Sequence, residues 1–183
     1  MRFDPTEIKG CFLIQPIPVS DERGWFARVF CEGEALPFLG EVRFVQINHS
    51  FNRRKGTFRG MHYQVPPNAE GKLIRCIAGS ITDFILDIRE NSPTFLKYIS
   101  VELSAKNQRM IFIPQGCAHG FQTLEDNSEL IYHHTSSYNK DADRGIRYDD
   151  PRVDMKLPIG IGMISDKDKG YPLLEKNFKG IQL

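Results

Sequence analysis

The sequence predicts an all-β domain, an antiparallel sandwich or barrel carrying short peripheral helices. Three observations support this. Short runs rich in Ile, Val, Phe and Tyr recur at close spacing, and helical periodicity is scarce. The eleven prolines and fifteen glycines are scattered rather than pooled into a linker. With 183 residues the chain is expected to form one domain over 1–183, long enough to bury a core without disulfide or metal staples.

In chain order, "EGEALPFLG" predicts a short helical turn broken at Pro37, and "FVQINHSFNRRKGTFRGMHYQ" places polar groups where strands should run. Arg53, Arg54 and Lys55 within it read as a solvated loop. "KLIRCIAGSITDFILDIR" reads as two strands closed by a tight hairpin at Gly79 and Ser80. "KYISVEL", "RMIFIP", "GFQTL" and "ELIYHHT" continue the strand rhythm, and "YPLLEKN" predicts a short C-terminal helix.

Composition narrows the function. Lys and Arg total 24 against 23 Asp and Glu, so the net charge of +1 provides no overall field for nucleic acid or an anionic membrane. Cys11, Cys31, Cys76 and Cys117 form no Cys-x-x-Cys pair and "MRFDPTEIKG" is unlike a leader, which predicts free thiols in a reducing compartment. No apolar run approaches the roughly 20 residues of a membrane span. A soluble cytoplasmic protein is expected.

Strand parity groups the candidate side chains. Leu130, Tyr132 and His134 share one face of their strand, and Lys72, Ile74 and Cys76 share a face of theirs. Arg59, between Phe58 and Met61, is expected to be buried, and Arg is the side chain best shaped for bidentate phosphate contacts. "PQGCAHGFQTL" sets His119 just beyond a Pro-Gly turn, the second metal signature of many cupin barrels. The first signature is defective: His62 is followed by Gln64 where another imidazole is wanted, with only Glu70 as a possible carboxylate. No metal is therefore expected. Two classes remain: a non-catalytic sugar- or nucleotide-binding module, and an enzyme that moves protons beside a carbonyl. The second needs a base, a carboxylate to fix its tautomer, donors for the enolate oxygen and an acid on the opposite face.

"DERGWF", "GTFRGMHYQ", "GKLIRCIAGSITDFILDIRENSPTF", "IPQGCAHGF", "ELIYHHT", "RGIRYDDP" and "ISDKD" occur in this order, and together they resemble the dTDP-4-dehydrorhamnose 3,5-epimerase family from about residue 5 to residue 176. The resemblance implies a cupin-like jelly roll, a homodimer, no metal or other cofactor, and a dTDP-linked 4-keto-6-deoxyhexose as substrate. It implies that His62 is the base, oriented by Asp168, that Tyr132 is the acid on the opposite face, and that Lys72 steadies the enolate. His119 would line the sugar pocket near the keto group. Arg23, Arg59, Gln46 and Asn48 would hold the nucleoside diphosphate, with Phe26 packed on the base. For Asp83 a structural role is equally open. The chain departs from the family at Arg28, where a glutamate is common, and at His133 and His134, read as polar residues of an edge strand. Epimerisation of a single carbon, or of a sugar on another nucleotide, is the alternative within the family, and a metal-dependent cupin or a non-catalytic sugar-binding module is the alternative outside it.

Overall fold

The structure is a computed structural model and describes residues 1–183. Strands β1 (Arg2–Pro5), β2 (Phe12–Gln15), β3 (Val19–Asp21) and β4 (Gly24–Phe26) precede helix α1 (Glu32–Leu39). Next come β5 (Gln46–Asn52), β6 (Thr57–Gln64), β7 (Lys72–Ala78) and β8 (Ser80–Asp87). Then follow β9 (Tyr98–Ser104), β10 (Met110–Ile113), β11 (Cys117–Thr123) and β12 (Ser128–His134). Short strands β13 (Asp143–Gly145) and β14 (Met163–Ile164) and helix α2 (Asp166–Lys169) complete the order.

The strands form a jelly roll. One sheet runs β1-β2-β10-β7-β12-β5; the other runs β13-β6-β11-β8-β9, with β14 added parallel to β6. The inner faces meet in a core that includes Ile74, Cys76, Ile81, Ile85, Leu103, Phe121 and Leu130. Each such side chain contributes about 1.5–3 kcal/mol when fully buried. The second sheet is also covered outside, where Phe58, Met61, Phe84 and Leu86 meet Ile146, Val153 and Met155. Burial on both faces explains why β8 carries apolar side chains on each, with Ile81 and Ile85 in the inner core and Phe84 and Leu86 in the outer one. On the first sheet, Leu73, Met110 and Phe112 pack beneath Ala35 of α1.

Several expectations are corrected. β7 and β8 do not pair with each other: β7 lies between β10 and β12, and β8 between β11 and β9. Gly79 is a corner at which the chain changes sheet. Its φ of +69° suits glycine, and a Cβ there would come within 2.4 Å of the Ser128 hydroxyl oxygen. α1 continues through Pro37, which lies near its end. "YPLLEKN" forms no helix, and the C-terminal helix is instead α2, capped by Ser165, whose hydroxyl oxygen accepts the Asp168 N–H at 3.0 Å. β12 is an internal strand, so His133 and His134 are not edge residues. Arg59 is exposed rather than buried.

The reason for the last correction lies in β6. Phe121 pairs with Arg59 and His119 with His62, so three steps on β6 oppose two on β11 and one extra residue bulges. The alternation of faces breaks at that bulge. Phe58 and Met61 both enter the outer core, while Arg59 and His62 both face the cavity described below. Gly60 permits this close approach, since a Cβ on it would lie 2.4 Å from the Gly120 Cα.

Candidate active site

A cavity of about 540 Å³ opens between the sheets. β6 contributes Arg59 and His62, β7 Lys72, β11 His119 and Phe121, β12 Tyr132 and His134, and β5 the stretch from Ile47 to Ser50. His62 and Tyr132 therefore enter one cavity from opposite sheets. Asn48 and Arg59 lie at its exposed side, with Gln46 next to Asn48.

His62 is a third exposed, and its Nε2 lies 2.7 Å from Oδ1 of Asp168, which is almost fully buried. The other carboxylate oxygen accepts the Gly60 N–H at 3.3 Å. Burial opposes ionisation of Asp168, but the hydrogen bond and charge of His62, together with the Gly60 and Ser165 contacts, hold its carboxyl below the usual carboxylate value. The Tyr171 ring meets the His62 ring edge-on with centroids 6.1 Å apart, and packs so closely on Gly145 that any Cβ there would strike it.

A second pair lies deeper. His119 Nε2 is 2.7 Å from Oδ1 of Asp83, a fully buried carboxylate. Burial pushes the His119 pKa down, against the pull of Asp83, and pushes the Asp83 pKa up. The ring of Tyr132 stands edge-on to His119 with centroids 6.2 Å apart, and its hydroxyl lies 3.1 Å from that of Ser50. Burial raises the Tyr132 pKa well above the usual phenol value, against the contrary effect of Ser50. Tyr132 thus keeps its proton at neutral pH.

Lys72 Nζ lies 3.2 Å from Glu70 Oε1 and donates to the His62 carbonyl at 3.4 Å. Arg59 Nε donates to Asn52 Oδ1 at 2.8 Å, and the Gln46 amide donates to Asn48 Oδ1 at 3.2 Å. No group of three or more His, Cys, Asp or Glu side chains is arranged to hold a metal ion. His62, His119 and His134 are each engaged by a carboxylate instead.

Arg23 and Phe26 are not brought to this cavity. They sit on the β3–β4 hairpin beside a separate concavity, with Arg23 paired to Asp21 and Phe26 exposed. Arg28 pairs with Glu34 of α1. Sequence reasoning weighed Asp83 as structural and Glu70 only as a metal ligand, and missed Ser50, Asn52 and Tyr171. Asp83 and Glu70 had one visible signal, a carboxylate inside an otherwise apolar strand pattern or just before it.

The sequence profile described as dTDP-4-dehydrorhamnose 3,5-epimerase matches residues 5–176. The chain belongs to that family. A dTDP-4-dehydrorhamnose 3,5-epimerase of Shigella flexneri is 43% identical over 169 residues, 92% of this chain and 93% of that protein. A solved dTDP-6-deoxy-D-glucose-3,5-epimerase from Legionella pneumophila, in complex with dTDP-4-keto-L-rhamnose, has a TM-score of 0.89 and 37% identity, covering 94% of this chain and 92% of that one. A 3'-monoepimerase from Streptomyces bikiniensis in complex with dTDP-quinovose has a TM-score of 0.86 and 27% identity, covering 92% of this chain and 86% of that one. Membership makes this dTDP-4-dehydrorhamnose 3,5-epimerase family chain an isomerase. No helix is long and apolar enough to cross a membrane.

Proposed function

We propose that the protein epimerises a dTDP-linked 4-keto-6-deoxyhexose at C3 and C5 through enolate intermediates. The observation that carries this reading is the entry of His62, tied to Asp168, and Tyr132 into one cavity from opposite sheets. With Nε2 committed to Asp168, the remaining nitrogen of His62 takes the proton beside the C4 ketone. Charge then develops on the ketone oxygen, where Lys72 and His119 stabilise it. Tyr132, fully protonated at neutral pH, returns a proton from the other face. Arg59, Gln46 and Asn48 hold the diphosphate at the exposed side, and Arg23 and Phe26 engage the nucleoside. The protein acts as a homodimer in the cytoplasm, with residues 1–183 as one unit.

The names of the similar proteins support the substrate class, and the curated relatives favour inversion at both carbons. The likeness to a 3'-monoepimerase favours a second reading, inversion at C3 alone. One experiment addresses both. In D2O, with a dTDP-4-keto-6-deoxyglucose substrate followed by NMR, the native protein is expected to place deuterium at C3 and C5. His62→Ala should retain binding and lose at least about 10³-fold in exchange rate. Full exchange by His62→Ala removes the base assignment, and deuterium confined to C3 establishes the single-carbon reading.

A further inference from the structure

The cavity holds a third carboxylate–imidazole pair, next to Lys72. Glu70 divides its carboxylate between two partners, with Oε1 3.2 Å from Lys72 Nζ and Oε2 2.7 Å from His134 Nδ1. The side chains of Lys72, Glu70 and His134 are only 8%, 9% and 10% exposed. On its far side His134 Nε2 meets the Asn48 amide nitrogen at 3.3 Å, and Asn48 Oδ1 accepts from the Gln46 amide at 3.2 Å. Gln46 Oε1 in turn accepts the Tyr138 N–H at 2.9 Å. One set of proton positions satisfies every link. Each amide donates toward His134, whose Nε2 accepts and whose Nδ1–H donates to Glu70, while Lys72 donates to the other carboxylate oxygen.

This arrangement bears on the ammonium. Of the three N–H donors of Lys72, one reaches Glu70 and one the His62 carbonyl, which leaves the third for the cavity. A buried ammonium deprived of its counter-charge gives up its proton or swings away. The titratable groups that share the cavity with Lys72 are Arg59 and His62 on β6, His119 on β11 with Asp83 behind it on β8, Tyr132 and His134 on β12, and His49 on β5; Asp83 is committed to His119 and His49 lies 2.7 Å from Glu129. Glu70 is the carboxylate in contact with Nζ. Burial works against its ionisation, but His134 and Lys72 together hold its carboxyl below the usual value.

We propose that Glu70, clamped by His134, is the positioning residue that keeps Lys72 charged and aimed at the substrate's developing enolate. The proposal deepens the proposed function and rests on the assignment of Lys72 made there. It is tested on the full chain by steady-state kinetics and solvent-deuterium exchange across pH. The variants are Glu70→Gln, Glu70→Asp, Lys72→Met and the double variant Lys72→Met/Glu70→Gln. Glu70→Gln should lower kcat about tenfold or more with KM within about threefold, and move the basic limb of the kcat–pH profile to lower pH. Glu70→Asp, which keeps the charge, should restore part of both. In the Lys72→Met background, Glu70→Gln should add less than about a twofold loss.

Glu70→Gln with native kcat and an unmoved basic limb, alongside an impaired Lys72→Met, overturns the proposal and leaves the proposed function standing. An equal loss in both backgrounds also overturns it, because it marks a purely structural role. Lys72→Met exchanging at the native rate sinks the assignment of Lys72 and the proposal with it. Should Glu70→Gln fail to fold, His134→Ala tests the clamp instead. A fall in kcat with the same limb shift supports the proposal, and no change in either overturns it.

Discussion

Under the proposed function, Asp168 is the residue that fixes the tautomer of His62. A neutral imidazole has one bare nitrogen and one N–H, and a base is useful only when the bare one faces the substrate. In the proposed reaction, the 2.7 Å contact at Nε2 places the N–H on the Asp168 side and stabilises the imidazolium that proton removal would form. An asparagine keeps the shape but can present its amide donor, which selects the opposite tautomer. Asp168→Asn is therefore expected to cut kcat by about 10²–10⁴-fold with little change in dTDP affinity, read by deuterium exchange and by titration calorimetry. Exchange within a few-fold of native would remove the orienting role. At this scale the sequence was informative where a short motif carries the group, as for His62, His119, Tyr132 and Lys72. It was uninformative where meaning arises from contact. The Asp168 partnership spans 106 residues and came only with the family resemblance, while Ser50 and Asn52 matter through the atoms they meet across the sandwich.

Elements hold these residues in place through their connections. The segment leaving β8 is organised around Asp87, whose carboxylate is fully buried. It accepts from Arg89 Nε at 2.9 Å and Nη2 at 2.7 Å, and from the Ser92 and Thr94 hydroxyls at 2.6 Å each. Burial alone would raise the pKa, but Arg89 and the two hydroxyls outweigh it and lower it from 3.8 to about 2. A depressed native pKa gives stability that is complete above the unfolded value and is lost as pH falls through the native one. Between pH 3.8 and about 2 the protein should accordingly lose about 2 kcal/mol through this group. Asp87→Asn should remove a similar amount at pH 7 and flatten the acid dependence in that window, as measured by urea unfolding. An unchanged acid slope in the variant would show that the network contributes nothing. Strand existence was legible from β-branched runs, whereas strand partnership was not. The Gly79-Ser80 pair signals a tight turn equally well for a hairpin and for a corner between sheets, and only the packing of β7 against β10 and β12 decides which forms. The bulge in β6 likewise left the Arg59 side chain on a face that period-two counting could not assign.

At the scale of the whole molecule, the β3–β4 hairpin is out of balance with the rest. It belongs to neither large sheet and leaves Val19, Trp25 and Phe26 73%, 54% and 79% exposed, although each would contribute about 1.5–3 kcal/mol if buried. Across the molecule, Ile47 and Ile77 are also exposed on the first sheet. Such a distribution fits a surface that closes against a second copy. Under the proposed function, the separation of Arg23 and Phe26 from their own chain's cavity points the same way, because a second copy can present those side chains to the nucleoside. The native protein should therefore sediment as a dimer at micromolar concentration. Val19→Asp/Phe26→Asp should sediment as a monomer with unchanged far-UV circular dichroism and should bind dTDP about tenfold more weakly or worse. The His62–Asp168 pair lies within one chain, so on the proposed function the monomer should keep its base and lose its hold on the nucleotide, and KM should rise well before kcat falls. A native monomer that binds dTDP at full strength would instead require the hairpin to fold back over its own cavity.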